Sequence, residues 1–325
     1  MNYNIVIFNP ELKYQKNREE IFLSLHKYDK NKYLYFSIEI LENKLNENKY
    51  DDLIELLISI DSNITKNNIN HIIFYPRQLK FLNPNNLLHK LIINCNIKKS
   101  IFIDDIHCLE LSLEIINKFD NKILSYAYLI NIFLKGLNEN IISLPHYLND
   151  RFVYKNESKD IQISILGHYQ SETYLTRKHI IQNIKNINNE LINCSIKCFP
   201  KLNNIIYYQT LKKSYASIAT TGDNPTHYYP YIVSKYFEIP GCNSLLIAHI
   251  LPEMEDEFKK YGFIENENYI KFSSIKELIE KCNFIFDPKN KEYIEKIRNN
   301  GYQLVINNHL ISHRLRSLVK MLNSN

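Results

Sequence analysis

The stretch IQISILG, residues 161–167, is a short apolar run that stops at a glycine. What flanks it decides the fold. Before it lies HYLNDRFVYKNESKD (146–160), which is polar, lacks a clear period and carries a charge cluster; it reads as an interdomain linker. Ahead of that linker, YNIVIF (3–8), KYLYFSI (32–38), HIIFYP (71–76), KSIFIDDIH (99–107), KILSYAY (122–128) and NIISLP (140–145) alternate with helix-period stretches such as DDLIELLISI and NLLHKLIINC. From residue 161 the alternation restarts. SIKCFP (195–200), YASIATTG (215–222), NSLLIAHI (243–250) and NYIKFS (268–273) read as strands. RKHIIQNIKNINNELIN, IIYYQTLKKS, PYIVSKYFEIP, EMEDEFKKYG, IKELIEKCNFIF, KEYIEKIRNNG and HRLRSLVKML read as helices. Short apolar runs alternating with periodic helices specify βαβ units and a parallel sheet. Two such series predict an α/β chain made of two halves.

The bulk numbers agree. A chain of 325 residues suits one large domain or two ordinary ones. With 45% hydrophobic and 23% charged residues it is globular, not disordered. A net charge of +5, spread over 40 basic and 35 acidic residues, suits an anionic ligand but forms no basic stripe of the kind nucleic acid demands. The heavy use of Asn, Ile, Lys and Tyr reads as the imprint of an AT-rich genome. MNYNIVIFNP has no basic n-region, so no signal peptide is expected, and no run of 18 apolar residues predicts a transmembrane helix. The six cysteines (95, 108, 194, 198, 242, 282) show neither a CxxC pair nor zinc spacing. Free thiols in a reducing cytosol follow, and a cytoplasmic, soluble protein is the expectation. GxGxxG, GxxxxGK[ST], GxSxG and HExxH are all missing.

Five of the six glycines (167, 222, 241, 262, 301) lie after residue 160. Gly262 and Gly301 read as helix ends, Gly301 at C′. Gly167 and Gly222 close strands, where parallel sheets bind ligands, and each fits either a plain turn or a close backbone approach to a phosphate. In SKYFEIPG (234–241), Lys235 and Glu238 are spaced i, i+3 and share a helix face. They fit a surface ion pair, or a carboxylate for ribose hydroxyls beside an ammonium for a diphosphate. Asp104-Asp105-x-His107 follows a strand and fits an acid–base pair, a metal site, or an N-cap with a satisfied histidine. His146, after Pro145, has the same readings.

The segment YYQTLKKSYASIATTGDNPTHYYPYIVSKYFEIPGCNSLLIAH resembles the donor-site region of group-1 glycosyltransferases of the GT-B fold. It is most similar to the branch of CgeB spore-maturation-like proteins. There a "Y..L..SK" helix precedes a strand, a variable loop, "KxFEI.A.G", a buried strand and a "GY..V...H....R" tail. The tail here is GYQLVINNHLISHRLRSLV, with Gly301, Tyr302, His309 and Arg314 in matching places. ILGHYQSETYLTRKHI resembles the family's "GS....YP.R" element through Gly167, Tyr174 and Arg177, with Leu175 replacing the proline. IFIDDIH and SLPHYL resemble its "DD.H" and "PH" segments.

The resemblance implies two Rossmann-like domains facing each other across a cleft. An acceptor-side domain would span 1–147 and a nucleotide-sugar-binding domain 148–308, with 309–325 a helix crossing back to the first. It implies transfer of a sugar from a nucleoside diphosphate sugar to an acceptor hydroxyl of a glycan, protein or small molecule, without metal or other cofactor. Glu238 would bind the donor ribose and Lys235 the diphosphate or sugar. Arg177 and Gly167 would lie at the diphosphate, and the loop carrying Gly222 and Tyr229 would close over the donor. Asp105 and His107 would serve the acceptor or act as general base. One departure is Pro230, at the place where many retaining members carry a second Glu. It leaves open the stereochemistry, and whether the chain is a catalytically degenerate nucleotide-sugar-binding protein or another GT-B-shaped enzyme such as an epimerase.

Overall fold

The chain divides into two units, residues 1–145 with 315–325, and residues 146–314. The computed structural model describes residues 3–8, 16–74, 86–103, 123–125, 141–154, 157–168, 174–223 and 232–323. Asp105, His107, Tyr229 and Pro230 lie outside these described residues.

The first unit is built on a parallel sheet. Its strands are β1 (Tyr3–Phe8), β2 (Tyr33–Ser37), β3 (Ile69–Phe74), β4 (Lys98–Ile103), β5 (Ile123–Ser125) and β6 (Ile141–Ser143), in the order β2-β1-β3-β4-β5-β6. β1 lies between β2 and β3, with Val6 opposite both Tyr35 and Ile73. Ile5, Val6, Ile7 and Phe8 are fully buried, as a strand covered on both faces requires. Between these strands run helices α1 (Lys16–Tyr28), α2 (Ile38–Glu47), α3 (Leu53–Ile60) and α4 (Leu87–Asn94). Asp52 starts α3 by accepting from the Ile54 amide at 2.6 Å, and Asn86 starts α4 by accepting from the His89 amide at 3.1 Å. Lys99, only 9% exposed, closes the end of α4 by donating to the Ile93 carbonyl at 2.8 Å and the Cys95 carbonyl at 2.5 Å.

The second unit is a second parallel sheet of β7 (Ile161–Leu166), β8 (Ile196–Phe199), β9 (Ser214–Ala219), β10 (Leu245–His249) and β11 (Ile270–Phe272). Its order is β11-β10-β9-β7-β8. Successive side chains alternate between faces. One face carries Ile163, Ile165, Ala216, Ile218, Leu245 and Ile247, packed on Ile180, Ile187, Leu278, Cys282 and Ile285. A chain of buried serines runs through the sheet: Ser214 Oγ donates to Ser164 Oγ at 2.8 Å, Ser164 bonds Ser217 at 2.7 Å, and Ser217 bonds Ser244 at 2.9 Å. All four serines are fully buried. Their hydroxyls satisfy one another, as buried polar groups must.

The second unit's helices are α5 (Leu175–Gln182), α6 (Ile184–Glu190), α7 (Asn204–Lys213), α8 (Lys235–Gly241), α9 (Glu255–Lys260), α10 (Ile275–Ile285), α11 (Lys291–Asn308) and α12 (Ile311–Asn323), the last running on into the residues grouped with the first unit. The structure corrects two local expectations. Gly301 does not end a helix; it lies inside α11, where a Cβ would meet the Asn268 carbonyl oxygen at 2.5 Å and Pro240 Cβ at 3.4 Å. α8 runs, as read from the sequence, through Pro240 to Gly241, and its amide ladder closes on Cys242. A Cβ on Gly241 would overlap Leu148 Cδ2 at 2.3 Å, so the glycine admits the chain at 146–152. That segment, expected as a linker, is packed: His146, Tyr147 and Leu148 are buried. The Leu148 amide donates to the His309 carbonyl at 3.0 Å and its carbonyl accepts from the Ile311 amide at 2.9 Å. Arg314 donates to the carbonyls of Asn308 (3.0 Å) and His146 (3.2 Å) and to His309 Nδ1. His309 Nε2 in turn bonds the Tyr261 carbonyl at 2.8 Å.

Candidate functional site

In an open parallel sheet, ligands bind beyond the carboxyl ends of strands, where connections leave in opposite directions. In the second unit that place is between β7 and β9, because β8 lies on one side of β7 and β9, β10 and β11 on the other. Gly167 follows β7 there, with φ of +113°. Its backbone is left open to two cations. A Cβ on Gly167 would stand 2.6 Å from Lys235 Nζ and 3.2 Å from Arg177 Nη1. Three of the residues read from the sequence as donor-binding therefore converge on one point.

Arg177, on the first turn of α5, is 4% exposed. Its Nε donates to Thr220 Oγ1 at 3.1 Å, its Nη2 to the Thr220 carbonyl at 3.3 Å and its Nη1 to the His168 carbonyl at 3.3 Å. Tyr174 stacks against it, with the guanidinium carbon 4.1 Å from the ring centre. Lys235 opens α8 and donates to the Leu166 carbonyl. Burial and the nearby Arg177 charge push its ammonium well below the usual lysine range, against the pull of Glu238. Like charges held together in a desolvated place favour an anion.

Glu238 is one turn along α8 and 5% exposed. Tyr207 Oη donates to its Oε2 at 2.6 Å and Tyr208 Oη to its Oε1 at 3.0 Å. Burial, and then the Glu238 charge, raises both phenols well above their ordinary value, so both remain donors. Tyr208 is itself clamped by Phe152, with centroids 3.7 Å apart and planes 11° apart. A carboxylate has about four acceptor positions, so two stay available after the tyrosines. Gly222 is buried in the segment after β9. Beside it Asp223 Oδ2 accepts from the Thr176 amide at 2.9 Å, holding the start of α5. His249 ends β10, its Nδ1 4.0 Å from Asp223 Oδ2.

Sequence reading missed Tyr207, Tyr208, Thr220, Asp223 and His249. The "Y..L..SK" spacing marks the helix that carries Tyr207 and Tyr208, but nothing in the sequence marks their hydrogen bonds to Glu238 or the strand-end places of Thr220, Asp223 and His249. Among the described residues no group of His, Cys, Asp and Glu could hold a metal ion, and no helix is long and apolar enough to cross a membrane.

Residues 161–320 match the family described as Glycosyl transferase-like. The matched stretch covers just under half of the chain. It contains the Gly167, Arg177, Lys235 and Glu238 constellation whole. Solved structures match along nearly the full chain. A glycosyltransferase from Rickettsia africae is 16% identical, with a TM-score of 0.61 over 99% of this chain and 98% of that one. Anabaena Alr3699/HepE in complex with UDP and glucose is 9% identical, with a TM-score of 0.67 over 100% of both chains. An alpha-glucosyltransferase in complex with UDP-glucose and DNA is 10% identical, with a TM-score of 0.63 over 100% of both. Identities this low establish the fold, which is the GT-B architecture of two parallel-sheet domains. No curated protein is similar enough in sequence to match. The matched stretch begins where the second alternation of strands and helices begins.

Proposed function

We propose that the protein is a metal-independent glycosyltransferase of the CgeB-like branch that takes its sugar from a nucleoside diphosphate donor and passes it to an acceptor hydroxyl. The observation that carries this reading is the meeting of Arg177 and Lys235 over Gly167 at the carboxyl end of β7. A diphosphate leaving group needs two negative charges neutralised, and a guanidinium and an ammonium in a buried place do this without a metal. Glu238 offers its two remaining acceptor positions to ribose hydroxyls, and Tyr207 and Tyr208 fix its orientation. Gly222 and Tyr229 belong to the segment that closes over the donor. Asp105 and His107 serve the acceptor, one of them taking its proton. The structures bound to UDP with glucose and to UDP-glucose make UDP and its sugars the first donors to offer. The described cysteines are all free, which suits the reducing cytosol.

The test is a thermal-shift and calorimetric screen of the purified protein against UDP, GDP, CDP and dTDP and their sugars. A bound donor at 100 times its dissociation constant should stabilise the protein by about 2.7 kcal/mol. Glu238→Ala and Arg177→Ala should each lose that response. Donor binding unchanged in Glu238→Ala would refute the ribose assignment. Donor binding with neither transfer nor hydrolysis would make the protein a non-catalytic nucleotide-sugar binder.

A further inference from the structure

Within the second unit, Asp223 Oδ1 and His249 Nδ1 are buried and have no hydrogen-bond partner among the described residues. Both side chains are more than nine-tenths buried, at 7% and 5% exposed. They are neighbours in space though far apart in sequence, since one follows β9 and the other ends the adjacent β10. The 4.0 Å between His249 Nδ1 and Asp223 Oδ2 is too long for a hydrogen bond between them. Each is also fixed from behind. Asp223 Oδ2 is held by the Thr176 amide at 2.9 Å, the His249 ring packs 5.4 Å from Phe272, and the His249 carbonyl takes the Tyr236 hydroxyl at 2.8 Å. A buried polar atom left without a partner costs about 1–3 kcal/mol, and two of them side by side call for a ligand that serves both.

The chemistry of the pair selects that ligand. A carboxylate only accepts, so it repels a phosphate and wants a donor. The neutral imidazole is favoured by burial, against the pull of Asp223, and its free nitrogen gives or takes one hydrogen bond according to tautomer. A hydroxyl is the small group that donates to the first and completes the second in either tautomer. Thr176, whose amide Asp223 holds, is next to Arg177 in the chain, which ties the pair to the cation pair at Gly167.

We propose that Asp223 and His249 form a hydroxyl-binding subsite for the sugar of the donor, one that distinguishes the nucleotide-sugar from the bare nucleotide. The proposal rests on the nucleotide-sugar reading above and adds the two residues that grip the sugar. Asp223→Asn retains an oxygen for the Thr176 amide and turns the free acceptor into a donor. His249→Phe keeps the ring and removes both nitrogens.

Calorimetric dissociation constants for UDP, UDP-glucose and UDP-N-acetylglucosamine, measured on the wild type and both variants, test it. The expected result is that UDP affinity stays within about twofold while the extra affinity of the preferred UDP-sugar falls by about tenfold, the scale of one lost hydrogen bond at a well-formed site. Because the comparison is a ratio within each variant, a general loss of stability does not imitate it, and a melting curve of each variant checks folding. Equal weakening of UDP and UDP-sugar, or a sugar advantage that survives both substitutions, would overturn the subsite and leave the pair bridged by water alone. A wild type that binds UDP but gains nothing from any of the sugars overturns it equally. A wild type that binds no nucleotide at all removes the donor reading, and the subsite falls with it.

Discussion

Lys235 shows how much one buried side chain can be asked to do. Its charge is disfavoured by burial and by Arg177, and in the proposed donor site a diphosphate arriving beside it would restore that charge. The sign follows. Only the protonated lysine attracts the anion, so nucleotide affinity is full at low pH and falls as pH rises through the lowered lysine pKa. Binding above that pKa takes up a proton, and titrations in buffers of different ionisation enthalpy should read the uptake directly. Lys235→Met should abolish both the uptake and the pH slope. That Lys235 and Glu238 lie together on one helix was legible from their i, i+3 spacing. The tyrosines on Glu238 were not. They come from α7, 31 and 30 residues earlier in the chain, and reach it only through the packing of one helix on another.

At the scale of elements, α8 and α11 are the informative pair. Gly301 lies in the middle of α11, where glycine ordinarily costs about 1 kcal/mol against alanine. The structure explains it by the Asn268 carbonyl at 2.5 Å from where a Cβ would stand. Backbone cannot step aside as a flexible side chain can. Gly301→Ala should therefore lower stability by about 1–3 kcal/mol despite alanine's better helix propensity, seen as a reduced urea midpoint with unchanged slope. A gain in stability would show that α11 can shift away from Asn268. The sequence alone invites the opposite reading of Gly301, since RNNG followed by a new apolar stretch looks like a helix end. Strands were easier: β7, β9 and β10 fall almost where their apolar runs do, because a strand buried on both faces needs nothing but a short run of apolar or small residues.

At the scale of the whole molecule, the two series of alternating strands and helices became two parallel sheets, and the class of fold was legible from that alternation. The joining segment was not. HYLND has no period, and its burial depends on residues more than 150 positions away, beyond any local pattern. That junction also predicts acid lability. His309 is held neutral by burial and by Arg314, with its pKa pushed down to about 4. The unfolded chain takes a proton near pH 6.5 and the folded one only near 4. This contribution to stability is therefore full above pH 6.5 and shrinks as pH falls towards 4, by on the order of 3 kcal/mol. Urea midpoints at pH 7 and pH 4.5 should differ accordingly. His309→Gln, which has no proton to gain, should flatten the difference.

The same junction sets an order in time. Leu148 pairs with His309 and Ile311, and His146 waits for Arg314, which comes 168 residues later. A ribosome releases the chain from its amino end, at about 5–20 residues per second. The opening stretch of the second unit thus emerges many seconds before its partners exist. It is among the earliest parts of that unit to be made, and it is stitched in only when residues 309–314 arrive.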